Sequence, residues 1–86
     1  MSAQQRVKMY TLSTCSHCKA AKQFMKELGI EYDATDVDLL EGEERQRVVA
    51  EVRKVNPRLS FPTIVIGQNV IVGNNPDEMR KALRLA

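Results

Sequence analysis

The stretch Ser13–Lys22, "STCSHCKAAK", holds both cysteines of the chain, its only histidine and the first turns of a helical pattern. Just upstream, "VKMYTL" (Val7–Leu12) alternates apolar and polar side chains, with β-favouring Val7 and Tyr10, and reads as a strand. Just downstream, Ala21, Phe24, Met25 and Leu28 recur at helical spacing, while Lys19, Lys22, Gln23 and Lys26 fall off that stripe. Ser13 and Thr14 offer capping hydroxyls at the helix start, and Gly29 stands where a C-terminal cap is expected. Cys15 thus lies at a strand-to-helix junction, beside unpaired backbone N–H groups and the positive end of the helix dipole.

That setting favours thiolate over thiol and lowers the pKa of Cys15 from the free value of ~8.5. Cys18 follows on the same helix face, at the ~5–6 Å spacing that also suits a disulfide. One activated thiolate backed by a second thiol is what thiol–disulfide exchange requires: the first attacks a disulfide and the second resolves the mixed disulfide. Other chemistries need other patterns. A c-type haem site is Cys-x-x-Cys-His, but Lys19 follows Cys18. A structural zinc site takes about four ligands, and two Cys and one His in a single turn could complete one only between two chains. A pair of inert buried thiols is the bland alternative for any cysteines. Their spacing at a helix start argues against it.

Working outward, "IEYDATDVD" alternates from Ile30 and reads as a second strand, making a strand–helix–strand unit with parallel strands and a right-handed crossover. A helix from about Glu41 to Val55 follows, with an acidic start suited to its dipole and Val48, Val49, Val52 and Val55 as its apolar face. Asn56-Pro57 ends it. "PTIVIGQNVIV" places two β-branched runs around the turn Gly67, Gln68 and Asn69, a hairpin signal. Pro76 suits the first turn of a last helix, with Asp77 and Glu78 at its start and Met79, Ala82 and Leu83 facing inward. The predicted order is β-α-β-α-β-β-α. Phe24, Met25 and Met79 are core candidates; Lys19 and Lys22 are expected to be solvated.

The chain has 86 residues and is expected to form one domain over 1–86. At this length only ~60–65% of the unfolded surface is buried, so each apolar segment must contribute to the core. A hydrophobic fraction of 43% and a charged fraction of 28% are those of a globular domain. The net charge of +2 offers no nucleic-acid surface. No apolar run approaches the ~18 residues of a membrane span. Two cysteines cannot build a dense disulfide framework, so the chain is expected in the cytoplasm, where a disulfide is transient.

"MYTLSTCSHCKAAKQFM" resembles the active-site segment of a glutaredoxin, and the element order matches that family's thioredoxin-like α/β fold, a four-stranded mixed sheet flanked by three helices. "SFPTIVI" resembles the family's Thr-Val-Pro segment, and "VGNNPD" its Gly-Gly-x-Asp segment. The resemblance implies a dithiol–disulfide oxidoreductase with Cys15 as nucleophile and Cys18 resolving, acting on protein disulfides or mixed glutathione disulfides. It implies a cis Phe61–Pro62 bond, with Phe61 and Pro62 holding substrate backbone. It also implies a glutathione rim at Asn74, Asn75 and Asp77. No bound cofactor and no metal are expected. Electrons would come from glutathione or a flavin-dependent reductase, and the protein would work as a monomer on disulfide-containing proteins.

Several positions depart from the family pattern. Leu12 stands where glutathione-dependent members carry a lysine, Ser16-His17 replaces Pro-Tyr, and Asn74 replaces a glycine. Arg58 is a candidate replacement for the missing positive charge. A related resemblance is to the redoxins that are reduced by thioredoxin reductase and supply ribonucleotide reductase. A third is to glutaredoxins that carry an iron–sulfur cluster between two chains, although single-cysteine carriers have Cys-Gly-Phe-Ser at this place. Ser16 and His17 are the expected tuning residues. A protonated His17 beside Cys15 favours the thiolate, and a stabilised reduced form means a more oxidising couple, as in DsbA.

Overall fold

The computed structural model describes residues 6–83. The single-domain expectation over 1–86 therefore includes termini, 1–5 and 84–86, that lie outside the described residues. In order come β1 (Val7–Thr11), α1 (Ser16–Glu27), β2 (Asp33–Asp36), a 3-10 turn (Val37–Leu39), α2 (Gly42–Val55), β3 (Thr63–Ile66), β4 (Asn69–Val72) and α3 (Pro76–Ala82). The strands form one sheet in the order β2-β1-β3-β4. β1 pairs parallel with β2 and antiparallel with β3, and β3 pairs antiparallel with β4. This is the four-stranded mixed sheet with three helices that the glutaredoxin resemblance implies.

Strand alternation sorts side chains onto two faces. On one face Val7, Met9, Ile64, Ile66 and Ile71 pack against Ala21 and Met25 of α1 and Met79 and Ala82 of α3. On the other, Tyr10 packs with Val37 and with Val48 and Val52 of α2. The core is therefore two thin apolar layers with the sheet between them. Burying each large aliphatic or Met side chain contributes roughly 1.5–3 kcal/mol, so the fully buried Met9, Met25, Ile64, Ile66 and Met79 dominate the apolar contribution.

Local signals act as expected at two helix ends. Gly29 takes φ +70°, and the N–H groups of Gly29 and Ile30 bond to the carbonyls of Lys26 and Met25, closing α1. Pro76 opens α3 beside the N-cap Asn75, whose side chain accepts from the Glu78 N–H.

Four expectations need correction. The second strand is only Asp33–Asp36, because Val37–Leu39 turns into a 3-10 segment that buries Val37 against Tyr10. Val55, the last residue of α2, is 39% exposed and does not join Val48 and Val52 on the buried face. The hairpin turn contains Gly67 and Gln68 alone, since Asn69 already pairs with Ile66. The cap of α1 is not Ser13 or Thr14 but Cys15 itself.

Candidate active site

The Cys15 N–H bonds to the Leu12 carbonyl at 3.2 Å, so Ser13 and Thr14 form a tight turn that delivers Cys15 to the helix start. Cys15 is extended there, with φ −88° and ψ 120°, the backbone of an N-cap. Its carbonyl accepts from the Lys19 N–H, and its Sγ accepts from the Cys18 N–H at 3.3 Å. A sulfur thus does what a serine or aspartate oxygen usually does, satisfying a free donor of the first turn.

The two thiols are driven apart in acidity. Cys15 is half-buried and its pKa is lowered, chiefly by the hydrogen bond from the Cys18 thiol, with the backbone N–H groups of Cys18 and His17 adding to it against a partial desolvation cost. Cys18 is buried, and burial pushes its thiol up to about 11, with the Cys15 hydrogen bond adding to the rise. Cys15 is therefore the more acidic and the more accessible of the two sulfurs, and Cys18 the one that keeps its proton.

The flanking residues divide into exposed and anchored. Ser16 and His17, the expected tuning residues, are both exposed on the first turn of α1. Ser13 is anchored: its N–H and its hydroxyl donate to the two carboxylate oxygens of Asp38, at 2.9 and 2.6 Å. Those bonds hold the Asp38 carboxyl below the ordinary carboxylate range. Arg45 of α2 donates to the Asp38 carbonyl at 3.4 Å, tying the same turn to the next helix.

The Phe61–Pro62 peptide bond is cis, as the glutaredoxin resemblance implies. Pro62 is buried and its carbonyl accepts from the Gly73 N–H at 2.8 Å, so the proline loop is joined to the segment bearing Asn74, Asn75 and Asp77. Gly73 has φ +85°, a conformation a side chain would oppose, which accounts for a glycine at this join. Asn74, Asn75 and Asp77 are exposed, and the Asn75 Oδ1 is engaged in capping α3 at 3.4 Å. Arg58 is exposed, whereas Leu12 and Phe61 are half-buried against the Tyr10 cluster.

Asn56 organises this loop. It is 5% exposed, and its Nδ2 donates to the Ser60 carbonyl and hydroxyl at 3.1 Å each and to Thr63 Oγ1 at 3.0 Å. Thr63 in turn donates to the Ser60 carbonyl at 2.8 Å, and Leu59 is held at φ +53° between them. Sequence reasoning took Asn56 only as a helix terminator and did not single out Asp38.

The Glutaredoxin family profile matches residues 7–71, most of the chain and both cysteines. The chain belongs to the glutaredoxin family. Its fold is similar to that of methanoredoxin from Methanosarcina acetivorans, with a TM-score of 0.87 and 38% identity over 93% of this chain and 85% of that one. It is similar to the glutaredoxin of Methanosarcina mazei Go1, with a TM-score of 0.86 and 44% identity over 93% and 79% of the two chains. The glutaredoxin-like NrdH-redoxin of Escherichia coli superposes with a TM-score of 0.70 at 25% identity, over 88% and 92%. Among the described residues of this glutaredoxin, no group of three or more His, Cys, Asp and Glu is arranged to hold a metal ion. No helix among them is long and apolar enough to cross a membrane.

Proposed function

We propose that this glutaredoxin-family chain is a dithiol–disulfide oxidoreductase. The observation that carries the reading is two free thiols within one helical turn: the Cys15 Sγ caps α1, accepting from the Cys18 N–H at 3.3 Å, and the Cys18 thiol is buried next to it, the first lowered in pKa and the second pushed up to about 11. The Cys15 thiolate attacks one sulfur of a substrate disulfide, forming a mixed disulfide and releasing the other sulfur as a thiolate. Cys18 then attacks Cys15, the internal disulfide forms and the second substrate thiol leaves. The protein gives up two electrons and must be re-reduced. It needs no bound cofactor for this and works as a monomer on disulfide-containing proteins in a reducing compartment, the cytoplasm. Ser16 and His17 tune the Cys15 thiolate. Phe61 and Pro62, joined through Gly73 to the α3 start, hold the substrate backbone.

Two features favour a flavin-dependent reductase over glutathione as electron donor. Leu12 packs into an apolar cluster where a glutathione-binding lysine would stand, and Asn75 is committed to capping α3. NrdH-redoxin, with its thioredoxin-like activity profile, lends the same support. The test supplies the oxidised protein with thioredoxin reductase plus NADPH, and separately with glutathione plus glutathione reductase. Faster recovery of free thiols with the flavin reductase is expected. Faster recovery with glutathione would assign the donor to glutathione and Asn74, Asn75 and Asp77 to its binding. A Cys15→Ser protein that still reduces disulfides would refute the oxidoreductase reading.

A further inference from the structure

Lys22 is not a solvated lysine. Its side chain is 26% exposed and its Nζ donates to Asp36 Oδ1 at 3.2 Å. The same carboxylate oxygen accepts from the Thr11 hydroxyl at 2.6 Å, and Thr11 is fully buried. Thr11 and Asp36 are register partners at the ends of the parallel strands β1 and β2. They continue the sheet row of Met9 and Ala34, the row that faces α1. On α1 the inward stripe runs Cys18, Ala21, Lys22 and Met25, of which Lys22 is the one charged member. Helical side chains lean toward the N-terminus, so Lys22 covers the turn that carries Cys18, one turn before it. The ammonium is thereby pinned by Asp36 in the layer between α1 and the sheet that also holds the resolving sulfur.

We infer that Lys22, anchored by Asp36 and Thr11, is a positioning residue for the resolving step, placing a fixed positive charge where the Cys18 thiolate must form. The inference rests on the dithiol reading above. In that step the Cys18 thiol loses its proton to water. The resulting thiolate attacks the Cys15 sulfur of the mixed disulfide, the Cys15–Cys18 bond forms, and the bond to the substrate sulfur breaks. The substrate thiolate leaves with the electron pair and takes up a proton from water, so atoms and charge balance.

Burial, and after it the neighbouring Cys15 sulfur, keep the Cys18 proton on; a hydrogen bond from the Leu12 backbone and, last, the Lys22 charge oppose that retention. Among the described residues, the groups that bear on the Cys18 charge are Cys15 at the helix cap and Lys22 on its own helix, and Lys22 is paired with Asp36 of β2 at 3.2 Å. Asp38 is occupied by Ser13, and the inward face of α3 presents only Met79 and Ala82. Lys22 lies one helical turn beyond Cys18 on the inward stripe, whereas Cys15 stands at the N-cap, seven residues and two turns from Lys22. The charge should therefore act on the second step more than on the first.

The experiment reacts the reduced protein with an aromatic disulfide whose thiol product is coloured. The first burst of colour reports attack by Cys15, and the second reports resolution by Cys18. Lys22→Gln is expected to slow the second burst about fivefold at neutral pH and Lys22→Glu to slow it further. Lys22→Arg should stay within about twofold of the unsubstituted protein. The first burst should change less, and the pH midpoint of the second should move up in the order Arg, Gln, Glu. A Cys18→Ser protein, which gives only the first burst, should be less sensitive to charge at position 22. If Lys22→Glu unfolds by circular dichroism, the Arg and Gln variants decide. A second burst indifferent to charge at position 22, or both bursts slowed equally, overturns the inference. No burst from the unsubstituted protein refutes the oxidoreductase reading, and this inference with it.

Discussion

Asp38 grips Ser13 at two points, one carboxylate oxygen on the Ser13 N–H at 2.9 Å and the other on its hydroxyl at 2.6 Å. Ser13 begins the turn that places Cys15 at the helix cap. A contact between residues 25 apart in sequence thus sets where the nucleophile stands. Asp38→Ala should slow alkylation of Cys15 at neutral pH by roughly threefold, because the loop can then sample positions that lose the sulfur–N–H bond. The check is the second-order rate with a thiol-alkylating reagent.

The same pair has a pH signature. The Asp38 carboxyl is held below its ordinary value, first by the Ser13 hydroxyl and then by the Ser13 N–H. Such a group stabilises the fold fully above the ordinary aspartate pKa of ~3.9, and its contribution is lost as pH falls through the lower folded value. Asp38→Asn should therefore flatten the acid limb of stability against pH. Urea midpoints measured in steps of pH test this, and parallel acid limbs for the two proteins would contradict it.

The Cys18 thiol is the largest cause of Cys15 acidity. Replacing it with Cys18→Ala should raise the Cys15 pKa and reduce its thiolate fraction at neutral pH by about threefold or more. Cys18 itself carries the opposite linkage. With its thiol up at about 11 in the fold, its contribution to stability is complete below the unfolded thiol pKa and is lost as pH rises toward 11. Ultraviolet titration of thiolate absorbance in the wild-type and Cys18→Ala proteins measures the first effect, and alkaline unfolding measures the second.

Asn56, itself buried, shares its amide N–H groups among three acceptors on Ser60 and Thr63 and so ties the proline loop down. Asn56→Ala should cost about 1–3 kcal/mol, read as a lower urea midpoint at unchanged slope. Because that loop presents Phe61 and Pro62, turnover with a protein disulfide should suffer in KM more than in kcat. Loss of kcat alone would argue that the loop does not hold substrate.

His17 is exposed one turn-position before Cys18. Its backbone N–H helps to lower the Cys15 pKa, and a histidine beside a thiolate can lend it positive charge, favouring the reduced form and a higher reduction potential. The His17→Tyr protein should accordingly have the lower potential, by about 30 mV for a tenfold change in equilibrium constant. Redox equilibration of the two proteins against glutathione is the measurement, and equal potentials would remove the His17 side chain from the tuning.

The order of elements, the two helix faces around Met25 and Val52, the Gly29 stop, the hairpin and the place of the cysteines were all legible in the chain itself. Each depends on local periodicity or on the backbone preference of a single residue, which a linear string carries in full. Local signals misled at the α1 cap, where Ser13 has the right hydroxyl but spends it on Asp38, leaving Cys15 sulfur to receive the first-turn N–H. They misled again at Lys22, which lies beside the apolar stripe by periodicity yet folds inward onto Asp36. The short β2, the Asn56 clamp and these two carboxylate contacts were decided by tertiary structure. A polar side chain accepts whichever donor the packed layers bring within about 3 Å, and that partner is chosen by the sheet order rather than by neighbours in sequence.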